Sequence, residues 1–141
     1  ESATTPLSAN DLKGRTMAFA VSIARLTTSL PRSREADGFG RQLLRSGSSV
    51  GAKYRAAGRA QSTAHMLSKL AIVEEEAGEC IYWLELLVQT GIVQAEHAAP
   101  LLREASELVA ITVASKKTLR ARLQTSASRT SKFEVRTSEE S

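Results

Sequence analysis

Four runs of apolar or small residues, each recurring at three- or four-residue spacing, constrain what this chain can fold into more than any other feature. Leu12, Thr16, Phe19, Ile23, Leu26 and Leu30 make the first, between Asp11 and a terminating Pro31. That spacing keeps side chains on one face of an α-helix. Phe39, Leu43, Gly47, Val50, Tyr54 and Ala57 make the second. Ser33 stands where an N-cap belongs, and Gly58 where a helix stops. The third, Leu67, Leu70, Val73, Ala77, Ile81, Leu84 and Val88, lies between a capping Ser62 and a breaking Gly91. Leu101, Ala105, Leu108, Thr112, Ser115, Leu119 and Leu123 form the fourth. Its start is open, because Pro100 suits the first turn of a helix beginning at Ala99 but interrupts one beginning near Gln94.

No strand pattern competes, and the connections are short. Long helices joined by short links must lie antiparallel, so the sequence predicts an all-α, antiparallel up-down-up-down four-helix bundle over residues 11–123. Residues 1–10 and 124–141 are rich in Ser, Thr and Ala without apolar periodicity and read as flexible tails, the second of them basic. Within the second helix Ser46, Gly47, Ser48, Ser49, Gly51 and Ala52 weaken helix propensity but admit a close neighbour. A tight crossing near Gly47 is expected. Leu44, Met66, Ile72, Trp83, Leu86, Val109, Ile111 and Val113 fall beside the stripes. Either wide helix faces absorb them or self-association covers them.

The formal charge is +4 and the pI about 9.6, a modest excess whose distribution matters more than its size. Arg41, Arg45, Arg55 and Arg59 share the row 41, 45, 48, 52, 55, 59, on the opposite side of the second helix from its core row. Lys116, Lys117, Arg120 and Arg122 cluster late in the fourth helix, with Arg129, Lys132 and Arg136 beyond them. The third helix carries Glu74, Glu75, Glu76, Glu79 and Glu85. Two readings stay open: the acidic helix pairs with the basic one, or the basic row meets a polyanion. Aromatic residues are few and lie mostly on core rows, so a nucleic-acid partner would be structured RNA or duplex DNA held by its phosphates.

Catalytic patterns are missing. His65 and His97 lack ligand-type partners at helical spacing, and no Glu-x-x-His pair suggests a di-metal bundle. Cys80, the single cysteine, adjoins an apolar row where a thiol is inert. The run Glu74 to Glu76 reads as a solvated or salt-bridged face. Neither enzyme activity nor a cofactor is expected. No secretory leader and no run of about 18 apolar residues is present, so a cytoplasmic protein with no membrane partner is expected.

The stretch Gly38-Phe39-Gly40-Arg41-Gln42-Leu43-Leu44-Arg45, continuing through Ser48-Ser49-Val50-Gly51-Ala52 to Ala57-Gly58-Arg59-Ala60, resembles the second-helix signature of the bacterial four-helix bundle family, the 23S rRNA intervening-sequence proteins. Glu74-Glu75-Glu76 and Tyr82-Trp83-Leu84-Glu85-Leu86-Leu87 look like that family's third helix. The usual Asn-Ile-Ala-Glu-Gly ending reads Tyr54-Arg55-Ala56-Ala57-Gly58 here, with Ala57 in place of the acid. The resemblance implies a ring-forming protomer, commonly a homopentamer, with no assigned catalysis. A related branch, the accessory variability determinant of diversity-generating retroelements, implies nucleic acid and a reverse transcriptase as partners. On the nucleic-acid reading, Arg41, Arg45, Arg55 and Arg59 contact phosphates, assisted by Lys116, Lys117 and Arg120. The alternative is a structural or protein-interaction ring whose charges pair across subunits.

Overall fold

A computed structural model describes the backbone over residues 9–140 and the side chains over residues 11–130. Its described residues form four helices: α1 (Ala9–Thr28), α2 (Arg34–Gly58), α3 (Thr63–Gln89) and α4 (Ala95–Glu140). Each packs on the next in chain order, while α1 and α4 touch only sparingly. The result is the expected all-α, antiparallel four-helix bundle.

Local chemistry sets the boundaries. Ser33 Oγ accepts from the Ala36 N–H at 3.1 Å, and Ser62 Oγ from the His65 N–H at 3.1 Å, so both capping serines satisfy a free amide of a first turn. Gly91, at φ +76, closes α3. Its N–H donates to the Val88 carbonyl while that of Ile92 reaches back to Leu87, the paired bonds of a left-handed helix stop. The fourth helix starts at Ala95, with Pro100 inside it. Proline there removes one amide bond near the start, where few have formed. Val93 and Ala98 flank the entry, both buried in one core cluster, and so fix its angle.

The core follows the predicted rows. Phe19, Ile23, Leu43, Val50, Val73, Ala77, Leu84, Ala105 and Leu108 are buried together. On α3 the row drifts by one residue past Ala77, so Cys80 and Leu87 are fully enclosed while Ile81 and Val88 are half-buried. The buried positions keep a strict seven-residue repeat, Leu70, Ala77 and Leu84 with Val73, Cys80 and Leu87, the 3.5-residue seam of bundle packing. The small residues of α2 let α1 in. A Cβ on Gly47 would lie 2.9 Å from Ile23 Cγ2, and one on Gly40 would lie 2.8 Å from Leu30 Cδ1.

Two expectations change. Leu123 is 41% exposed, and the segment read as a tail from residue 124 continues as helix to Glu140. At 46 residues, α4 is about 69 Å long, far longer than its partners, so residues 121–130 extend past the bundle and are all exposed. Residues 1–8 of the expected N-terminal tail lie outside the described residues, as do the side chains of Lys132, Glu134 and Arg136. Among the described residues no helix is long and apolar enough to cross a membrane.

Candidate nucleic-acid interface

The arginine row of α2 faces outward, as its spacing requires: Arg41, Arg45, Ser48, Ala52 and Arg59 are exposed and Arg55 is half-buried. Exposure, however, does not leave the row uniform. The Arg45 guanidinium reaches across to α3, lying 2.7 Å from Glu79 Oε1 and 3.3 Å from Glu76 Oε1. It also donates to Ser46 Oγ at 3.1 Å, and that buried hydroxyl donates to Glu79. Its charge is spent within the protomer. Lys116 likewise sits 2.8 Å from Glu74 Oε1. The pairing of the acidic third helix with the basic second helix is therefore seen at Arg45, while Lys116 brings the fourth helix to the same acidic face.

The other predicted cations do not share one surface. Arg41 borders a shallow depression with Arg34 and Asp37 at the start of α2. Arg55 and Arg59 stand at its far end, and 18 residues of helix, about 27 Å, separate Arg59 from Arg41. Lys117 and Arg120 are exposed on α4, apart from the groove described next. No ion pair among the described residues engages Arg41, Arg55, Arg59, Lys117 or Arg120.

Arg55 and Arg59 line a groove of about 740 Å³ between the start of α1, the end of α2, the start of α3 and the middle of α4. Lys13 and Arg122 line it too, and among the described residues no acidic side chain does. Neither was among the predicted contacts. The antiparallel register carries the signal: α1 must begin beside the end of α2, which brings Lys13 to Arg55, and Arg122 is one turn past the core residue Leu119. Ala57 is only 2% exposed and packs with Leu70 and Leu119. Tyr54 forms part of the same wall, and desolvation raises its phenol pKa.

Cys80 is 0% exposed, and burial, reinforced by the carboxylates of Glu76 and Glu79, pushes its thiol up to about 12. Such a thiol stays protonated and poorly nucleophilic. No group of three or more His, Cys, Asp or Glu among the described residues could hold a metal ion. On α1, Arg15 holds Glu104 through two bonds of 2.6 and 2.8 Å and Glu107 through one of 2.7 Å. Those hydrogen bonds, Glu104 foremost, raise the guanidinium pKa further. The cluster ties α1 to α4 across their thin seam.

Of the apolar residues beside the stripes, Met66, Ile72, Trp83, Leu86, Val109 and Ile111 are half-buried, so wide faces absorb most of them. Leu44 and Val113 remain exposed, joined by Met17, Val21 and Tyr82.

The family profile described as 23S rRNA-intervening sequence protein matches residues 9–114. Among solved structures, the chain is similar to a protein of unknown function of the S23 ribosomal protein family from Bacteroides thetaiotaomicron, with a TM-score of 0.73 and 34% identity. The likeness covers 79% of this chain and 99% of that one. No curated protein matches.

Proposed function

Because the chain belongs to the 23S rRNA-intervening sequence protein family, we propose that it is a non-enzymatic, self-associating helical protein that binds structured RNA or duplex DNA by its phosphates. The observation that carries this is the open half of the arginine row: Arg55 and Arg59, joined by Lys13 and Arg122, line a groove with no acid among the described residues. Unpaired cations gathered on one surface attract a polyanion and gain by releasing its counterions. Arg41, Lys117 and Arg120 are exposed away from that groove, whereas Arg45 and Lys116 serve the protomer's own ion pairs. Exposed Met17, Val21, Leu44, Tyr82 and Val113 supply apolar surface for a ring, of which a homopentamer is the form proposed.

A second reading rests on the paired half. If Arg45 with Glu76 and Glu79 exemplifies how the remaining charges are used, the protein is an interaction ring whose partner is another protein, such as a reverse transcriptase.

One experiment separates them. Anisotropy titrations with duplex DNA and a structured RNA should show affinity that falls with salt, by a log–log slope of about 0.9 per phosphate contact on the duplex. Combining Arg55→Glu with Arg59→Glu should lower affinity by about ten-fold or more at low salt, with the mass by light scattering unchanged. Absence of binding to both polymers, or a dissociated ring with binding intact, overturns the nucleic-acid reading.

A further inference from the structure

The groove that Arg55 and Arg59 border is more than a charged rim. Its floor is apolar, formed by Leu12, Ala57, Met66, Leu70 and Leu119. A phosphate backbone makes no use of such a floor. The floor also leads inward: Leu12, Tyr54, Leu70 and Ser115 are shared with a narrow crevice that continues between α1 and α4 to Val73, Leu108 and Ile111. Four residues with hydroxyls line that crevice, Thr16, Tyr54, Thr112 and Ser115, and both threonines are turned back to their own helices. Thr16 Oγ1 donates to the Leu12 carbonyl at 2.8 Å and Thr112 Oγ1 to that of Leu108 at 2.6 Å. The threonines are thereby satisfied and offer methyl groups beside the aliphatic carbons of the lining, with Tyr54 and Ser115 at the end shared with the groove. The crevice runs beneath the one seam of the bundle where neighbouring helices touch sparingly, the place where side chains have most room to move aside.

From these features we infer that the groove is a binding site for a small single-chain anionic amphiphile of the fatty-acid class. The carboxylate sits at the mouth among Lys13, Arg55, Arg59 and Arg122, and the hydrocarbon chain lies along Leu70 and Leu119 toward the α1–α4 crevice. The size agrees with that assignment, since small-molecule sites span roughly 300–1,000 Å³ and pair an apolar lining with few polar groups. Charge selects the head group. Four cations with no counter-ion among the described lining residues favour an anion over a neutral alcohol. The apolar floor selects against an anion that has no tail. This site extends beyond phosphate binding and does not depend on it, although a carboxylate at the mouth would occupy the same arginines.

The test uses the full chain and three probes: sodium decanoate below its micelle concentration, decanol, and inorganic phosphate. Calorimetric titration is expected to show decanoate binding, with decanol and phosphate each weaker by about ten-fold or more. Thr118→Trp, on the exposed wall of the groove, and Ser115→Leu, at the crevice entrance, should each weaken decanoate by a similar factor. Both leave Arg55 and Arg59 in place, so duplex DNA affinity should hold and the two sites can fail separately. Thr118 is exposed, which keeps that variant folded should Ser115→Leu disturb the core. No decanoate binding, equal binding of decanoate and decanol, or affinity unmoved by both substitutions overturns the inference.

Discussion

The two halves of the α2 arginine row are alike in residue type, helix and orientation, yet they differ in what faces them. Arg45 meets Glu76 and Glu79 of α3, whereas Arg55 and Arg59 meet an acid-free groove. An arginine stripe is therefore not a site in itself. What the neighbouring helix presents at each level decides whether a charge holds the protomer together or stays available to a ligand. The difference should be largest in binding. Reversing the open end with Arg59→Glu is expected to weaken duplex DNA by several-fold and lower the salt slope by about 0.9. Arg45→Gln should change neither. Equal losses at both positions in anisotropy titrations would erase the distinction.

The paired half of α2 is also the half pressed against α1. Gly47→Ala would bring a methyl group to 2.9 Å from Ile23 Cγ2 and 3.1 Å from its Cβ, close to the backbone rather than at a flexible tip. A loss of about 1–3 kcal/mol by denaturant unfolding is expected. Gly78→Ala, which meets nothing within 4 Å, should instead gain about 0.5–1 kcal/mol from helix propensity. Were the two to behave alike, the close crossing would not be what holds this half in place.

Much of this was legible in the sequence, because a 3.6-residue period reports which side chains face inward. The rows through Ile23, Val50, Val73 and Leu108, the serine caps, the stop at Gly91 and the crossing at Gly47 all follow from it. The extension of α4 was not legible by the same means. Residues 124–140 carry no apolar stripe to reveal a helix, although their Ala, Arg, Gln and Lys favour one. At the site, spacing showed which arginines face outward but not which are paired, since that depends on the register between α2 and α3. Lys13 and Arg122 escaped because neither lies on the α2 row and each joins the groove only by packing.

Cys80 reports on the paired half from beneath. Its thiol is raised from 9.0 to about 12, by burial first and then by Glu76 and Glu79, with Arg45 opposing. Because the folded state disfavours the thiolate, this contribution is fully present below pH 9 and is lost as pH rises from 9 toward 12. At pH 10 the cost relative to neutral pH is on the order of 1 kcal/mol. Unfolding free energies measured from pH 7 to pH 10.5 should fall more steeply for the native chain than for Cys80→Ala. Parallel curves would mean that the thiol ionises as readily folded as unfolded.

The smallest effect is also the sharpest for the comparison. If pairing alone silences Arg45, removing its acids should return it to the open class without altering the row. Combining Glu76→Gln with Glu79→Gln keeps side-chain size and leaves the guanidinium, about half exposed, without a charged partner on α3. The stability lost should be under about 1 kcal/mol, since partly exposed ion pairs contribute little after solvent screening. Duplex DNA affinity should rise by a few-fold at low salt, with the salt slope steeper by about 0.9 as one more phosphate is engaged. An unchanged slope would mean that Arg45 is silent because of where it stands, about 20 Å along the helix from Arg59, and not because of what it holds.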